Sequence, residues 1–248
     1  MNDPFSNIYE TARYADAYAR LEFPGTYYLA FRDLPAVFAR HATGRRALDF
    51  GCGAGRSTRL LERCGFDAAG VDISRDMVAK AREADPAGDY GVIADGDFAS
   101  LAPGSFDLAL SAFTFDNVPT AERKVGILAG LARLLAPKGR LVNLVSSPEI
   151  YVSEWASFST RAFPGNRKAK SGDVVRIVNL AIADHTPVED VLWTDAAWRE
   201  VYAAAGLEAV ETLRPLAAPD DPGEWVSEIT IPPWVIYILR PVGEGPPA

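Results

Sequence analysis

Two carboxylates bracket a run of glycines in this chain of 248 residues. Asp49 precedes Gly51, Gly53 and Gly55 in Leu48-Asp49-Phe50-Gly51-Cys52-Gly53-Ala54-Gly55. Asp72 follows, about 20 residues beyond the first glycine, at the spacing of nucleotide-binding βαβ units. Glycines at such a turn let backbone approach a ligand closely and leave N–H groups at a helix start, where an anionic group is stabilised. An acid at the end of the next strand can accept hydrogen bonds from two ribose hydroxyls. The dinucleotide fingerprint, started at Gly51, requires a small residue at position 56 for tight helix–strand packing. That position is Arg56, which weighs against a dinucleotide and against a nicotinamide-dependent oxidoreductase.

Few other residues invite a chemical reading. His185, in Ala183-Asp184-His185-Thr186-Pro187, has the unperturbed pKa of about 6.5 that suits a general base at neutral pH. It falls in a turn between two strand-like segments, where a solvated histidine is the more ordinary reading. His41 ends a helix before Ala42-Thr43-Gly44, a place where histidine commonly caps carbonyls. Cys52, Cys64 and the two histidines match no zinc spacing and make no disulfide framework, so no metal is expected.

These residues must be positioned by the alternation of apolar runs and amphipathic segments between about residues 45 and 145. Residues 46–50, 68–72, 90–94, 106–110 and 140–145 read as strands. Residues 56–64 and 74–82 read as helices, the second capped by Ser74. Pro119-Thr120-Ala121-Glu122 starts a third helix. Its Val125, Leu128, Leu131 and Leu135 recur at helical spacing, with Leu134 beside the stripe, and Pro137-Lys138-Gly139 ends it. Such alternation predicts βαβ units, a parallel sheet and helices on both faces. Outside this block, residues 5–41 read as two tyrosine-rich helices and 147–193 as irregular, then strand-like around Val174–Val178. Thr194 caps a helix to about Ala205, stopped by Gly206, and residues 234–239 form a last strand. The expected organisation is one domain. Residues 1–44 form a helical lid, 45–146 a ligand-binding core, 147–193 a second lid segment and 194–240 a C-terminal helix and strands.

Composition narrows the partners. A net charge of −8 argues against nucleic acid, because phosphate neutralisation calls for a basic surface. The one basic cluster, Arg167-Lys168-Ala169-Lys170, lies close to Asp173. No apolar window reaches the roughly 18 residues of a membrane span, and the polar stretch Met1–Tyr9 shows no secretory signal. A reduced, cytoplasmic protein without membrane attachment is therefore expected, as a monomer or homodimer.

Five motifs occur in order. They are Asp49-x-Gly51-Cys52-Gly53-x-Gly55; Val71-Asp72-Ile73-Ser74 with Met77; Gly96-Asp97-Phe98; Ser105-Phe106-Asp107-Leu108; and Arg133-Leu-Leu-Ala-Pro137-Lys-Gly139-Arg140. Together they resemble the core of the class I S-adenosylmethionine-dependent methyltransferases, in the small-molecule, type 11/25-like subgroup. One departure is Leu101-Ala102-Pro103, where relatives commonly carry Leu-Pro-aromatic. The resemblance implies an α/β fold: a Rossmann-like doubly wound, mostly parallel seven-stranded sheet, helices on both faces, and a small lid from the N-terminal helices and the 147–193 insertion.

It also implies S-adenosylmethionine as cofactor and S-adenosylhomocysteine as product, with methyl transfer by direct displacement to an O, N or C nucleophile of a small molecule. Asp49 and the glycines Gly51, Gly53 and Gly55 would then hold the methionine part, and Asp72 the ribose. Ile73 and Met77 would pack on adenine, with Met77 as core the alternative. Asp97 would accept from the adenine amino group while the Phe98 backbone reads the ring edge, and Tyr14 would lie near the cofactor carboxylate. Phe113, Phe115, Asp116 and Asn117 follow the fourth strand, where relatives meet the acceptor. The rings of Tyr9, Tyr18, Tyr27, Tyr28 and Trp155 either line that pocket or form core beneath the lid; an aromatic lining would favour a flat acceptor. Asn-Pro-Pro-aromatic, typical of nucleic-acid amino methyltransferases, is absent. A catalytically inactive cofactor-binding sensor or scaffold is the alternative. A sister enzyme using the decarboxylated cofactor is a further one, although the acidic pattern it needs is not evident.

Overall fold

The computed structural model describes residues 25–94 and 96–243. In chain order the elements are α1 (Thr26–Arg32), α2 (Leu34–His41), β1 (Arg46–Phe50), α3 (Arg56–Arg63), β2 (Asp67–Asp72), α4 (Arg75–Ala84), β3 (Asp89–Val92) and β4 (Phe106–Ala112). There follow α5 (Ala121–Leu134), β5 (Leu135–Ser146), β6 (Phe158–Ser159), β7 (Val174–Asn179), β8 (Val188–Val191), α6 (Asp195–Ala204), β9 (Leu207–Leu213) and β10 (Trp234–Pro241). Seven strands form one sheet in the order β3-β2-β1-β4-β5-β10-β9. The first five pair in parallel, and β10 runs antiparallel to both β5 and β9. This is the doubly wound, mostly parallel sheet expected.

The central strands read as near-continuous apolar runs because both of their faces are covered. Alternation divides them between two cores. Leu108, Leu110, Val142, Leu144, Ile236 and Ile238 meet α1, α2 and α3 on one face. Leu48, Ala109, Leu141, Val145, Val235 and Leu239 meet α5 and α6 on the other. Thr120 and Thr194 cap α5 and α6 by accepting from the N–H groups of Arg123 and Ala197, and Ser74 caps α4 through Met77.

Three expectations need correction. Residues 25–41 are not a lid: Leu29, Leu34, Val37 and Phe38 are wholly buried beneath the sheet, and the segment breaks at Asp33 into two short helices. Pro35 in the first turn of α2 suits a helix start but not a helix interior. The buried stripe of α5 runs through Lys124, Ile127, Leu128, Leu131 and Leu134, with Val125 at its margin; Leu135 already belongs to β5. Residues 135–139 extend that strand through a register irregularity against β4, with Lys138 at a φ of 68°. The third strand, finally, stops at Val92 rather than Ala94.

The 147–193 segment builds a separate antiparallel sheet, β6-β7-β8. Its outer face carries the cross-strand pair Arg176–Glu189 at 2.7 Å. Its inner face presents Val175, Ile177, Val188 and Asp190, and β8 packs on the 3-10 turn Thr114–Asn117 that follows β4. Glu228, wholly buried, ties the cap to the body: it accepts from Thr26 Oγ1 at 2.7 Å and from the N–H groups of Ala156 and Val226, both at 2.8 Å. No helix among the described residues is long and apolar enough to cross a membrane.

Two glycines of α5 separate propensity from packing. A Cβ on Gly126 meets nothing within 4 Å, whereas one on Gly130 would lie 2.5 Å from the buried Phe98 ring. Gly126→Ala should therefore raise the stability by about 0.5–1 kcal/mol. Gly130→Ala should lower it, because displacing a packed ring outweighs the same propensity gain. Thermal or urea unfolding of both variants checks this; equal shifts in the same direction would refute it.

Candidate active site

The parallel strands end together at one edge, where ligands of open α/β sheets bind. Gly51, Gly53 and Gly55 all have φ between 52° and 79°, the left-handed region that side chains avoid. A Cβ on Gly51 would collide with the Thr114 side chain, whose hydroxyl donates to Phe50 O at 3.0 Å. Gly53 faces open space apart from Met77 Cε at 4.0 Å. One glycine thus admits a neighbour and the other leaves room for a ligand.

Asp72 ends β2 half-buried, and its carboxylate clasps the loop. Oδ2 accepts from Gly53 N and Oδ1 from Ser74 N, both at 2.8 Å. Ile73 beside it is 45% exposed, while Met77 is buried. Asp49 lies wholly buried behind the loop, and its Oδ2 takes the hydroxyls of Ser57 and Thr58 at 2.6 Å each. Its Oδ1 is buried without a hydrogen-bond partner among the described residues. Burial pushes this carboxyl up to about 6, with the Asp72 charge adding and the two hydroxyls opposing. Asp97 is exposed on a turn in which its Oδ1 accepts from Ala99 N at 2.9 Å. The Phe98 ring anchors that turn in the core, 5.6 Å from Phe50.

Beside this loop lies a cavity between the carboxyl edge and the inner face of the cap sheet. Four rings pack against one another along it: Tyr27, Phe113, Phe158 and Trp234, with centroids 4.8 to 5.9 Å apart. Trp234 reaches the edge because antiparallel β10 begins there, opposite Ser146. Phe113 holds a left-handed φ of 63°, a strained setting for a bulky residue, fixed by its N–H to Leu144 O at 2.8 Å. Arg56 extends from the start of α3 over the Tyr27 and Phe31 rings, 5.2 Å from each centroid.

The polar wall of the cavity is acidic. Asp116 accepts from Ser146 N at 3.1 Å, and Tyr151 donates to Asp190 Oδ2 at 3.1 Å. Burial pushes both carboxyls up, and the charge of Asp116 pushes Asp190 further. Lys124, wholly buried nearby, donates to Phe115 O and lies 5.0 and 4.8 Å from the Trp193 and Trp198 centroids; burial lowers its pKa.

The structure brings together Asp49, the three glycines, Asp72, Ile73 and Met77 at the loop, and Tyr27, Phe113 and Asn117 at the cavity. Two expected residues lie elsewhere. Trp155 is core, its indole N–H donating to Ile150 O at 2.8 Å. His185 is exposed in the β7–β8 turn and does not line the cavity. Tyr9, Tyr14 and Tyr18 lie outside the described residues. Sequence reading missed Tyr151, Asp190 and Trp234 as cavity residues. The one usable signal was at Asp190, an acid alternating with apolar inward positions in Val188-Glu189-Asp190-Val191.

Residues 48–143 match the family described as a methyltransferase domain. Among curated relatives, a ubiquinone biosynthesis O-methyltransferase of Methylococcus capsulatus is 34% identical over 100 residues, 39% of this chain and 41% of the relative. Its counterpart from Thiobacillus denitrificans is 30% identical over 132 residues, 52% of this chain and 47% of the relative. The matched region thus spans less than half the length of either relative. The fold is shared with the CcbJ methyltransferase of Streptomyces caelestis, with a TM-score of 0.65 at 17% identity over 94% of this chain and 99% of that one. With its glycine loop, Asp72 and strand order, this chain is similar over residues 48–143, less than half of its length, to the methyltransferase domain, and it shares the fold of S-adenosylmethionine-dependent methyltransferases of known structure.

Proposed function

We propose that this protein transfers a methyl group from S-adenosylmethionine to a nucleophile of a small molecule held under the cap sheet. The observation that carries the reading is the Asp72 clasp beside the open face of Gly53. A carboxylate placed at that face is the acceptor that two ribose hydroxyls require. Asp49 Oδ1, unpartnered among the described residues, fits the same cofactor, because a buried acceptor left without a donor is costly and an ammonium group would satisfy it. Ile73 offers an exposed apolar surface for a purine, and Asp97 an exposed acceptor for its amino group.

The bound cofactor supplies an electrophilic methyl on a sulfonium. The chain's task is alignment, worth several orders of magnitude in a displacement. Thr114 performs part of it by fixing the turn that carries Phe113, Asp116 and Asn117 against the glycine loop. A proton leaving the acceptor passes to Asp116 or Asp190, which line the cavity, rather than to the exposed His185. The relatives' name places their methyl on oxygen, but most of the cavity wall here lies outside the matched residues 48–143. The cytoplasm is the setting assigned, with Cys52 and Cys64 as free thiols.

Calorimetric titration with S-adenosylhomocysteine should show saturable binding that falls by roughly 100-fold or more in Asp72→Ala, since two charged hydrogen bonds bracing the loop are lost along with the ribose contacts. Unaltered affinity in that variant would remove the basis of the proposal.

A second prediction concerns pH. The folded carboxyl of Asp49, at about 6, lies above its unfolded value of 3.8, so the native state binds the extra proton. Its contribution to stability is full at low pH and is lost as pH rises from about 4 through 6. The loss is on the order of 3 kcal/mol at most. Asp49→Asn should flatten the stability gain of the ligand-free protein between pH 7 and 5, while weakening S-adenosylhomocysteine binding. Melting curves of both proteins across that range read the difference; parallel curves would contradict it.

A further inference from the structure

The cavity wall opposite the glycine loop is more acidic than a neutral acceptor needs. Two carboxylates line it, Asp116 and Asp190, which are 5% and 8% exposed. No lysine or arginine is among its lining residues. Two cations stand behind the lining: Arg56 lies over the Tyr27 ring, and Lys124, whose charge favours ionisation of both acids, is turned to the Phe115 carbonyl and two indole rings and forms no ion pair with either acid among the described residues. Two hydrogen-bond acceptors also wait there. Among the described residues Asp190 takes a single hydrogen bond, on Oδ2 from Tyr151, which leaves Oδ1 unpartnered, and Asn117 Oδ1 is buried with no partner. On the remaining sides stand the faces and edges of Tyr27, Phe113, Phe158 and Trp234.

Aromatic rings and carboxylates both attract a cation. They repel an acceptor that must become an oxyanion, because a third negative charge would form beside two that burial already disfavours. The family match does not decide this, since Asp190, Tyr151, Tyr27, Phe158 and Trp234 all lie outside residues 48–143.

We propose that this cavity takes a protonated primary or secondary amine as the methyl acceptor, its ammonium held between the aromatic rings and the Asp116–Asp190 pair. The assignment rests on the methyltransferase reading above. Asp190 accepts one ammonium proton and becomes a neutral carboxylic acid, leaving the amine with a free electron pair. That pair forms the N–C bond to the methyl as the C–S bond breaks and its electrons return to sulfur. The positive charge moves to nitrogen, so the product leaves as an N-methylammonium, and Asp190 returns its proton to solvent. Burial and the charge of Asp116 make a proton on Asp190 easy to hold.

The test uses the full chain saturated with S-adenosylhomocysteine and two probes of one shape, benzylammonium and benzyl alcohol, titrated by calorimetry at pH 7.5. Benzylammonium should bind at least tenfold more tightly. The preference should vanish in Asp190→Asn and in Asp116→Asn, each first shown to bind S-adenosylhomocysteine as the parent does. Should neither variant fold, the parent protein decides alone: a panel of primary amines should release S-adenosylhomocysteine from S-adenosylmethionine, and their isosteric alcohols should not. Equal, weaker or absent ammonium binding, a preference that survives both substitutions, or methylation of the alcohols overturns the amine assignment. Failure to bind S-adenosylhomocysteine at all overturns instead the reading on which it rests.

Discussion

The ligand-binding edge depends on one interlock, that between Gly51 and Thr114. The glycine has no Cβ where the threonine side chain lies, and the threonine hydroxyl donates to the carbonyl just before the loop. Two segments that are far apart in sequence are thereby fixed at van der Waals distance. One holds the loop and its carboxylates; the other holds Phe113, Asp116 and Asn117. A displacement reaction needs its three participating atoms in line, so the gain comes from holding two sites at a fixed separation rather than from either alone. Any side chain at position 51 would wedge them apart, quite apart from its cost at a φ of 73°.

Around that interlock, polar groups are buried or half-buried, and each is held by a different device. Asp49 is shared by two hydroxyls, Asp72 by two backbone amides, and Glu228 by a hydroxyl and two amides. Lys124 is surrounded by indole rings. Buried polar groups are tolerated when satisfied, and they then specify one arrangement of the elements around them. Of the buried polar atoms without a partner among the described residues, Asp49 Oδ1 and Asn117 Oδ1 lie at the two places assigned to ligands, while others, such as Ser111 Oγ and Asn143 Oδ1, lie in the core.

Features that were local in sequence were legible there. The glycine loop, Asp72, the caps at Ser74, Thr120 and Thr194, and the alternation of strand and helix follow from spacing within a few residues, and the structure keeps them. What escaped was set by register and by long-range pairing. Lys124 looks like a solvated helix residue until α5 is docked, when its side chain turns inward with Ile127 and Leu128. Asp190 becomes a cavity residue only because β8 pairs with β7 in the register that sets it opposite Val175 on the inner face. Trp234 reaches the cavity only because the last strand is antiparallel. Trp155 was misjudged for the opposite reason: an aromatic residue in a cap segment is as good a core residue as a ligand contact, and its indole found a backbone carbonyl within the cap.

Arg56 connects cofactor class to acceptor shape in a way that bears on how such proteins diversify. The dinucleotide fingerprint demands a small residue at that position, yet here its guanidinium covers two rings, one of which, Tyr27, lines the cavity. A chain drifting toward a dinucleotide ligand would have to surrender that cover at the same step. Changing the cofactor would thus reshape the neighbouring wall, and exchanging loop residues alone would not yield a working hybrid. The two specificities are inherited together, tied by one side chain.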